Sequence, residues 1–134
     1  MKKIITLITI SIVIFSCKKT VTTPTSGIFR GVFEMTGLNG GGFETGSCTI
    51  AIFEETKSFG MSTDTTSSVP YGCNGTYVIT DGTKMTFSSE TLAPLDGNQH
   101  IILDSIYSYT FDDTSFKLSK TIDTIKYDFR FLRY

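Results

Sequence analysis

Three cysteines and a single histidine are the side chains in this chain best suited to nucleophilic, redox or metal chemistry. Cys17 follows a small residue, Ser16, at the end of an apolar run. Cys48 and Cys73 lie deeper in the chain and form an even pair. A bridge between them would close a loop of about 25 residues, worth roughly 3 kcal/mol in the chain-entropy picture. Two separate buried thiols are the alternative. Two Cys and His100 do not complete a four-donor zinc set, so neither a metal nor another cofactor is expected. His100 stands beside Gln99 and reads as an exposed loop histidine. Glu54-Glu55 and Asp112-Asp113 are adjacent carboxylates. Neighbours on a strand point to opposite faces, so neither pair makes a carboxylate dyad, and both read as solvated turn charges. Gly40-Gly41-Gly42 precedes a strand rather than a helix, so it lacks the helix end that would bind phosphate. No serine stands in a recognisable nucleophile context. The expectation is a protein that is not an enzyme.

Cys17 differs from the other two in its surroundings. Behind Lys2 and Lys3, the run Ile4–Phe15 is apolar except for Thr6, Thr9 and Ser11. As a helix its twelve residues cover about 18 Å, well short of a hydrocarbon core of about 30 Å. A basic start, a short apolar run and a small residue at its end make a secretory signal peptide. Ile14-Phe15-Ser16-Cys17 resembles the lipobox of bacterial lipoproteins. That resemblance implies cleavage after Ser16 and acylation of Cys17, with more than one acyl chain giving a stable anchor. Phe15 is bulkier than the residue commonest there. The junction Phe15-Ser16-Cys17-Lys18-Lys19 is similar to lipoproteins of the Bacteroidota. Those at the cell surface carry acids soon after the Cys. Here none appears before Glu34, so the periplasmic face of the outer membrane is expected. In such an oxidising compartment Cys48 and Cys73 are expected to pair as a disulfide.

Removing residues 1–16 leaves roughly 118 residues, enough for one domain with a modest core. The formal charge of −1 falls by two with the loss of Lys2 and Lys3, to −3. The lysines after residue 19 are scattered singly. Nucleic-acid binding needs a clustered positive face, so it is not expected.

The elements that must position these groups are strands. Residues 18–26 are polar with one Pro and read as a flexible tether, so the lipid-bearing Cys and its tether occupy 17–27. From residue 28 to 134, short runs rich in Thr, Ser and aromatics alternate with turn residues. Eight strands are predicted: Ile28–Thr36, Phe43–Glu55, Lys57–Thr63, Cys73–Thr80, Thr83–Thr91, Ile101–Phe111, Ser115–Ile122 and Ile125–Tyr134. Phe29, Phe33 and Met35 share one face, as do Cys48, Ile50 and Ile52. A three-residue loop, Thr80-Asp81-Gly82, would set Tyr77 opposite Met85, with Gly82 left-handed. A turn at Asp113-Thr114 sets Phe111 opposite Phe116. A turn at Asp123-Thr124 sets Leu118 opposite Phe129. Run 115–122 is then central. Eight antiparallel strands in up-and-down meander order close into a small barrel, because closure removes both unpaired edges.

Cys73-Asn74-Gly75-Thr76-Tyr77-Val78-Ile79 resembles a stretch of small lipocalin-like lipoproteins of the Bacteroidota. Tyr107–Asp112 and Leu118–Lys120 resemble two later strands of the same family. The resemblance spans most of 28–134 and implies an all-β lipocalin-like barrel that binds an apolar ligand. The family's Gly-x-Trp has only Gly31-Val32-Phe33 as its counterpart, since the chain holds no Trp. Gly72-Cys73-Asn74-Gly75-Thr76-Tyr77 also resembles the META domain, whose later Met-Ala-Cys is missing after Met85. Two roles follow as expectations. One is a binding module taking an apolar small molecule or peptide at the end that carries loops 37–42, 64–72 and 92–100. The other is an adaptor whose barrel is filled by its own aromatics and whose partner is a protein. A cavity below about 300 Å³ would count against the first. The membrane is a partner in either, through the lipid on Cys17.

Overall fold

The computed structural model describes residues 22–64, 70–92 and 103–134. Cys17, the leader 1–16 and His100 lie outside the described residues.

Period-two alternation becomes eight antiparallel strands: β1 (Gly27–Gly37), β2 (Gly42–Phe53), β3 (Ser58–Thr63), β4 (Cys73–Thr80), β5 (Lys84–Ser89), β6 (Ile106–Phe111), β7 (Ser115–Ile122) and β8 (Ile125–Arg133). Each pairs with the next, and β8 returns to β1, giving a closed meander barrel. The closing seam runs from Phe29 opposite Arg133 to Gly37 opposite Ile125. No helix occurs among the described residues.

The last two hairpins have the expected registers. Phe111 faces Phe116, Tyr109 faces Leu118, and Leu118 faces Phe129. The β4–β5 hairpin differs. Its three loop residues are 81–83, one later than expected, so Tyr77 faces Phe87 and Ile79 faces Met85. Asp81 and Gly82 both adopt positive φ, 54° and 60°, which moves the turn one residue forward. The resulting slip is two residues, an even number, so every side chain keeps its face. β6 begins at Ile106 rather than at 101. Before it, Leu103 is fully buried and the Asp104 carboxylate accepts a hydrogen bond from the Ser89 amide at 3.1 Å.

Two glycines form corners. A Cβ on Gly31 would overlap the Arg130 carbonyl on β8, and one on Gly75 would overlap the Ser88 carbonyl on β5. Both sit at inward positions where only a bare Cα allows the neighbouring backbone so close. They fall at the β8–β1 and β4–β5 seams, four strands apart.

The inward faces meet in a chain of aromatic rings. Phe59 contacts Phe87 at 4.9 Å, and Phe87 contacts Tyr107 at 5.8 Å. Tyr107 meets Phe129 at 6.0 Å, and Phe129 meets Phe33 at 4.8 Å and Phe131 at 6.0 Å. Phe116 continues from Phe131 to Phe29 and Phe111. These centroid distances are those of favourable ring pairs, worth about 0.5–1.5 kcal/mol each beyond area burial.

The lower end carries turns 54–57, 81–83 and 112–114 and the two described termini. Residues 22–26, part of the expected tether, lie against it. Pro24 is buried. The Arg133 guanidinium donates to Thr25 Oγ1 at 2.6 Å, and the Glu54 amide donates to Ser26 Oγ at 2.8 Å. The upper end carries the β1–β2, β3–β4, β5–β6 and β7–β8 connections.

Candidate functional site

Cys48 and Cys73 are both buried and both free, so the expected disulfide is absent. The topology supplies the reason. Cys48 is on β2, Cys73 is on β4, and β3 lies between them, with Thr63 opposite Cys48 and Met61 opposite Cys73. Second-neighbour strands are separated by about 9–10 Å, beyond the roughly 7 Å limit between bridged Cα atoms. Burial pushes the Cys48 thiol up to about 12 and the Cys73 thiol up to about 11. Neither supplies a thiolate nucleophile at neutral pH.

The inward face of β7 runs Phe116, Leu118, Lys120. Lys120 is buried, with 9% of its surface exposed. Its Nζ lies 4.6 Å from the Tyr107 ring centre and 5.4 Å from that of Tyr127. The negative ring faces offset part of the cost of a buried charge. Burial nevertheless lowers its pKa to about 8, against the opposing pull of Asp104. Burial also raises the Tyr107 hydroxyl above its ordinary value, with Cys73, Tyr127 and Asp104 adding to the effect. The upper half of the barrel therefore holds one amine, two phenols and two thiols among aromatic rings. Lys120 is the one buried cation among the described residues. Lys120 was a legible candidate, because it continues the i, i+2 series of Phe116 and Leu118. A lysine reads as a surface residue until that register is followed.

A second arrangement lies outside, on the wall formed by β7, β8 and β1. Lys117, Arg130 and Val32 form one row across the three strands, and Ser115, Leu132 and Arg30 form the next. A groove of about 380 Å³ opens there, also lined by Gly31 and Phe131, and its lining is apolar almost throughout. The Arg30 guanidinium stacks 3.9 Å from the Tyr134 ring centre. Arg130 pairs with Glu34, and Lys126 pairs with Asp128 at 2.8 Å.

The remaining sequence candidates do not converge. Glu54 and Glu55 sit in the β2–β3 turn. The Asp112 carboxylate closes the β6–β7 turn, accepting from the Thr114 and Ser115 amides and hydroxyls at 2.6–2.8 Å. Those bonds hold it well below the usual carboxylate range. Asp113 is exposed beside it. Gly40 adopts φ 85° in the β1–β2 connection, with the Gly37 amide bonded to the Gly41 carbonyl at 2.7 Å. Among the described residues, no three His, Cys, Asp or Glu side chains gather as a metal set. No protein-family model, curated protein or solved structure matches the chain.

Proposed function

We propose that this chain is a non-catalytic lipoprotein, held by lipid on Cys17 at the periplasmic face of an outer membrane, that works through protein contacts on the outside of its barrel. The observation that supports this most is the chain of touching rings through the interior, from Phe59 to Phe111. A barrel packed with its own aromatics offers its outer surface for recognition. Concavities of about 340, 490 and 380 Å³ open on that outer surface, and one of about 500 Å³ lies at the lower end, where Thr23, Thr56 and Lys57 meet Tyr77 and Ile79.

Intact-mass measurement on protein purified from native membranes tests the reading. The expected mass lacks residues 1–16 and carries lipid at Cys17, and crosslinking in the same membranes captures a protein. An apolar small molecule recovered at one per chain would overturn the adaptor role.

That outcome would favour a second reading, a binding module for an amphiphilic small molecule at the upper end. Lys120 between Tyr107 and Tyr127 supports it, since an inward amine suits an anionic head group above an apolar interior. Lys120→Met would then lose the co-purified ligand.

A further inference from the structure

The chain has three arginines, at 30, 130 and 133, and all three lie on β1 and β8. Lys117 on β7 stands directly opposite Arg130. Like charges opposed across a ladder repel, and Glu34 compensates only Arg130. Among the described residues, Arg30 and Lys117 form no ion pair. Arg133 stands at an inward register position opposite Phe29, its guanidinium 5.1 Å from that ring centre, and is not part of the outer face. The same wall carries large exposed apolar side chains: Tyr134 at 78%, Leu132 at 66%, Ile28 at 51% and Val32 at 44%. Ile28 and Tyr134 are neighbours, bonded from the Tyr134 amide to the Ile28 carbonyl at 2.9 Å. Phe53 on β2, 51% exposed, extends the patch on its lower side.

We infer that this β7–β8–β1 wall is the face the protein lays on an anionic lipid surface. The composition is that of an interfacial surface: aliphatic groups and a Tyr to enter the head-group region, with Arg and Lys around them to meet phosphate. Arg matters here because its planar fork pairs with phosphate through two parallel hydrogen bonds. Arg30, Lys117 and Arg130 surround a groove whose lining is apolar, so acyl carbon and head-group phosphate meet complementary chemistry side by side.

The path of the chain points the same way. Thr25 is bonded to Arg133 at the lower edge of this wall. From Thr22, the first described residue, Cys17 is five residues back, at most about 18 Å along an extended chain. An anchor there holds the barrel within one barrel diameter of the bilayer, close enough for one wall to rest on it. This step rests on the anchored reading; the wall's affinity for lipid does not.

The absence of Trp gives a clean reporter. Tyr134→Trp places a lone indole on the wall, and Val78→Trp places one on the exposed face of β4 as a control. The full chain carrying its lipid is reconstituted into phosphatidylcholine vesicles with or without about one-third phosphatidylglycerol, with brominated acyl chains as quenchers. The expected result is blue-shifted, strongly quenched emission from the Tyr134→Trp variant in the anionic vesicles, and solvent-like emission from the Val78→Trp control. Adding Arg30→Gln and Lys117→Gln to the wall reporter should reduce its quenching several-fold, as should high salt. Solvent-like emission from the wall reporter in anionic vesicles would overturn the proposal and leave the wall to an acidic protein partner. Equal quenching of both reporters would overturn it as well. Intact mass reads the anchor separately. A chain without lipid would sink the anchored reading, while the same reporters added to preformed anionic vesicles would still decide the wall.

Discussion

Lys120 and the two thiols pull stability in opposite directions as pH rises. Below pH 8, folded and unfolded chains both hold the Lys120 proton, and the full cost of its burial is present. Between about 8 and its ordinary value of 10.5, the folded chain releases a proton that the unfolded chain keeps, so stability rises with pH. The thiols act the other way. Above 9.0 the unfolded thiols ionise, while burial keeps Cys48 and Cys73 protonated up to about 12 and about 11, so stability falls. Two protons outweigh one, and a stability maximum near pH 9 is expected in urea titrations from pH 7 to 10.5. Replacing both cysteines by Ala should move the maximum to higher pH, where the tyrosine hydroxyls raised by burial, Tyr107 among them, then set the fall; a maximum that stays at 9 would mean the thiols are not the cause. Lys120→Met should stabilise the fold by about 1–3 kcal/mol at pH 7 and abolish the rise. Two other polar atoms are held at a cost. The Tyr77 and Tyr109 hydroxyls are buried without a hydrogen-bond partner among the described residues. Tyr77→Phe and Tyr109→Phe should therefore be neutral or stabilise by about 1 kcal/mol in chemical denaturation. A loss of more than that from either variant would show that the hydroxyl has a bonding role.

Strands and turns depend on a few backbone positions. Gly31→Ala and Gly75→Ala each drive a methyl into a neighbouring carbonyl, so both should cost more than about 3 kcal/mol or prevent folding. Gly60, on β3, has open space where its Cβ would stand. Gly60→Ala should be neutral or add about 0.5 kcal/mol, since it only removes freedom from the unfolded chain. Circular dichroism melts on the three variants separate a corner requirement from general intolerance of Ala. The β6–β7 turn should show an acid dependence through Asp112. Its folded pKa is depressed, so its contribution is present above the ordinary carboxylate value and is lost as pH falls below about 4. Asp112→Asn should lower the melting temperature at pH 7 and narrow its gap to wild type at pH 3. At this scale the sequence was a good guide. Alternation set the inward faces of β1, β2 and β6–β8, because a period of two leaves no choice once one face is apolar. The β4–β5 loop lies one residue later than expected, because Asp81 joins the expected Gly82 in the left-handed region, a conformation Asp adopts only occasionally and the local sequence does not announce.

For the whole molecule, the anchor and the barrel should be separable. Cys17→Ser should release the chain from membranes, or leave the leader uncut, with the melting temperature of the barrel unchanged; a cut chain still bound to membrane would contradict the lipid anchor. Residues 22–26 pack against the lower end through the bonds of Ser26 to Glu54 and Thr25 to Arg133. The sequence by itself determined the all-β class, the number of strands and the meander order, because alternation and turn residues are local signals. It also marked Cys17, since a leader followed by a small residue and Cys is read from neighbours in the chain. Other features depend on distances between residues far apart in sequence, and only the tertiary structure decided them. The seam of β1 with β8 brings Arg30 and Arg130 onto one wall across about a hundred residues. The interposed β3 keeps Cys48 and Cys73 apart, although counting cysteines pairs them. The closing of the barrel turns Lys120 from a strand lysine into a buried amine between two rings, because only a closed wall brings Tyr107 and Tyr127 to its sides.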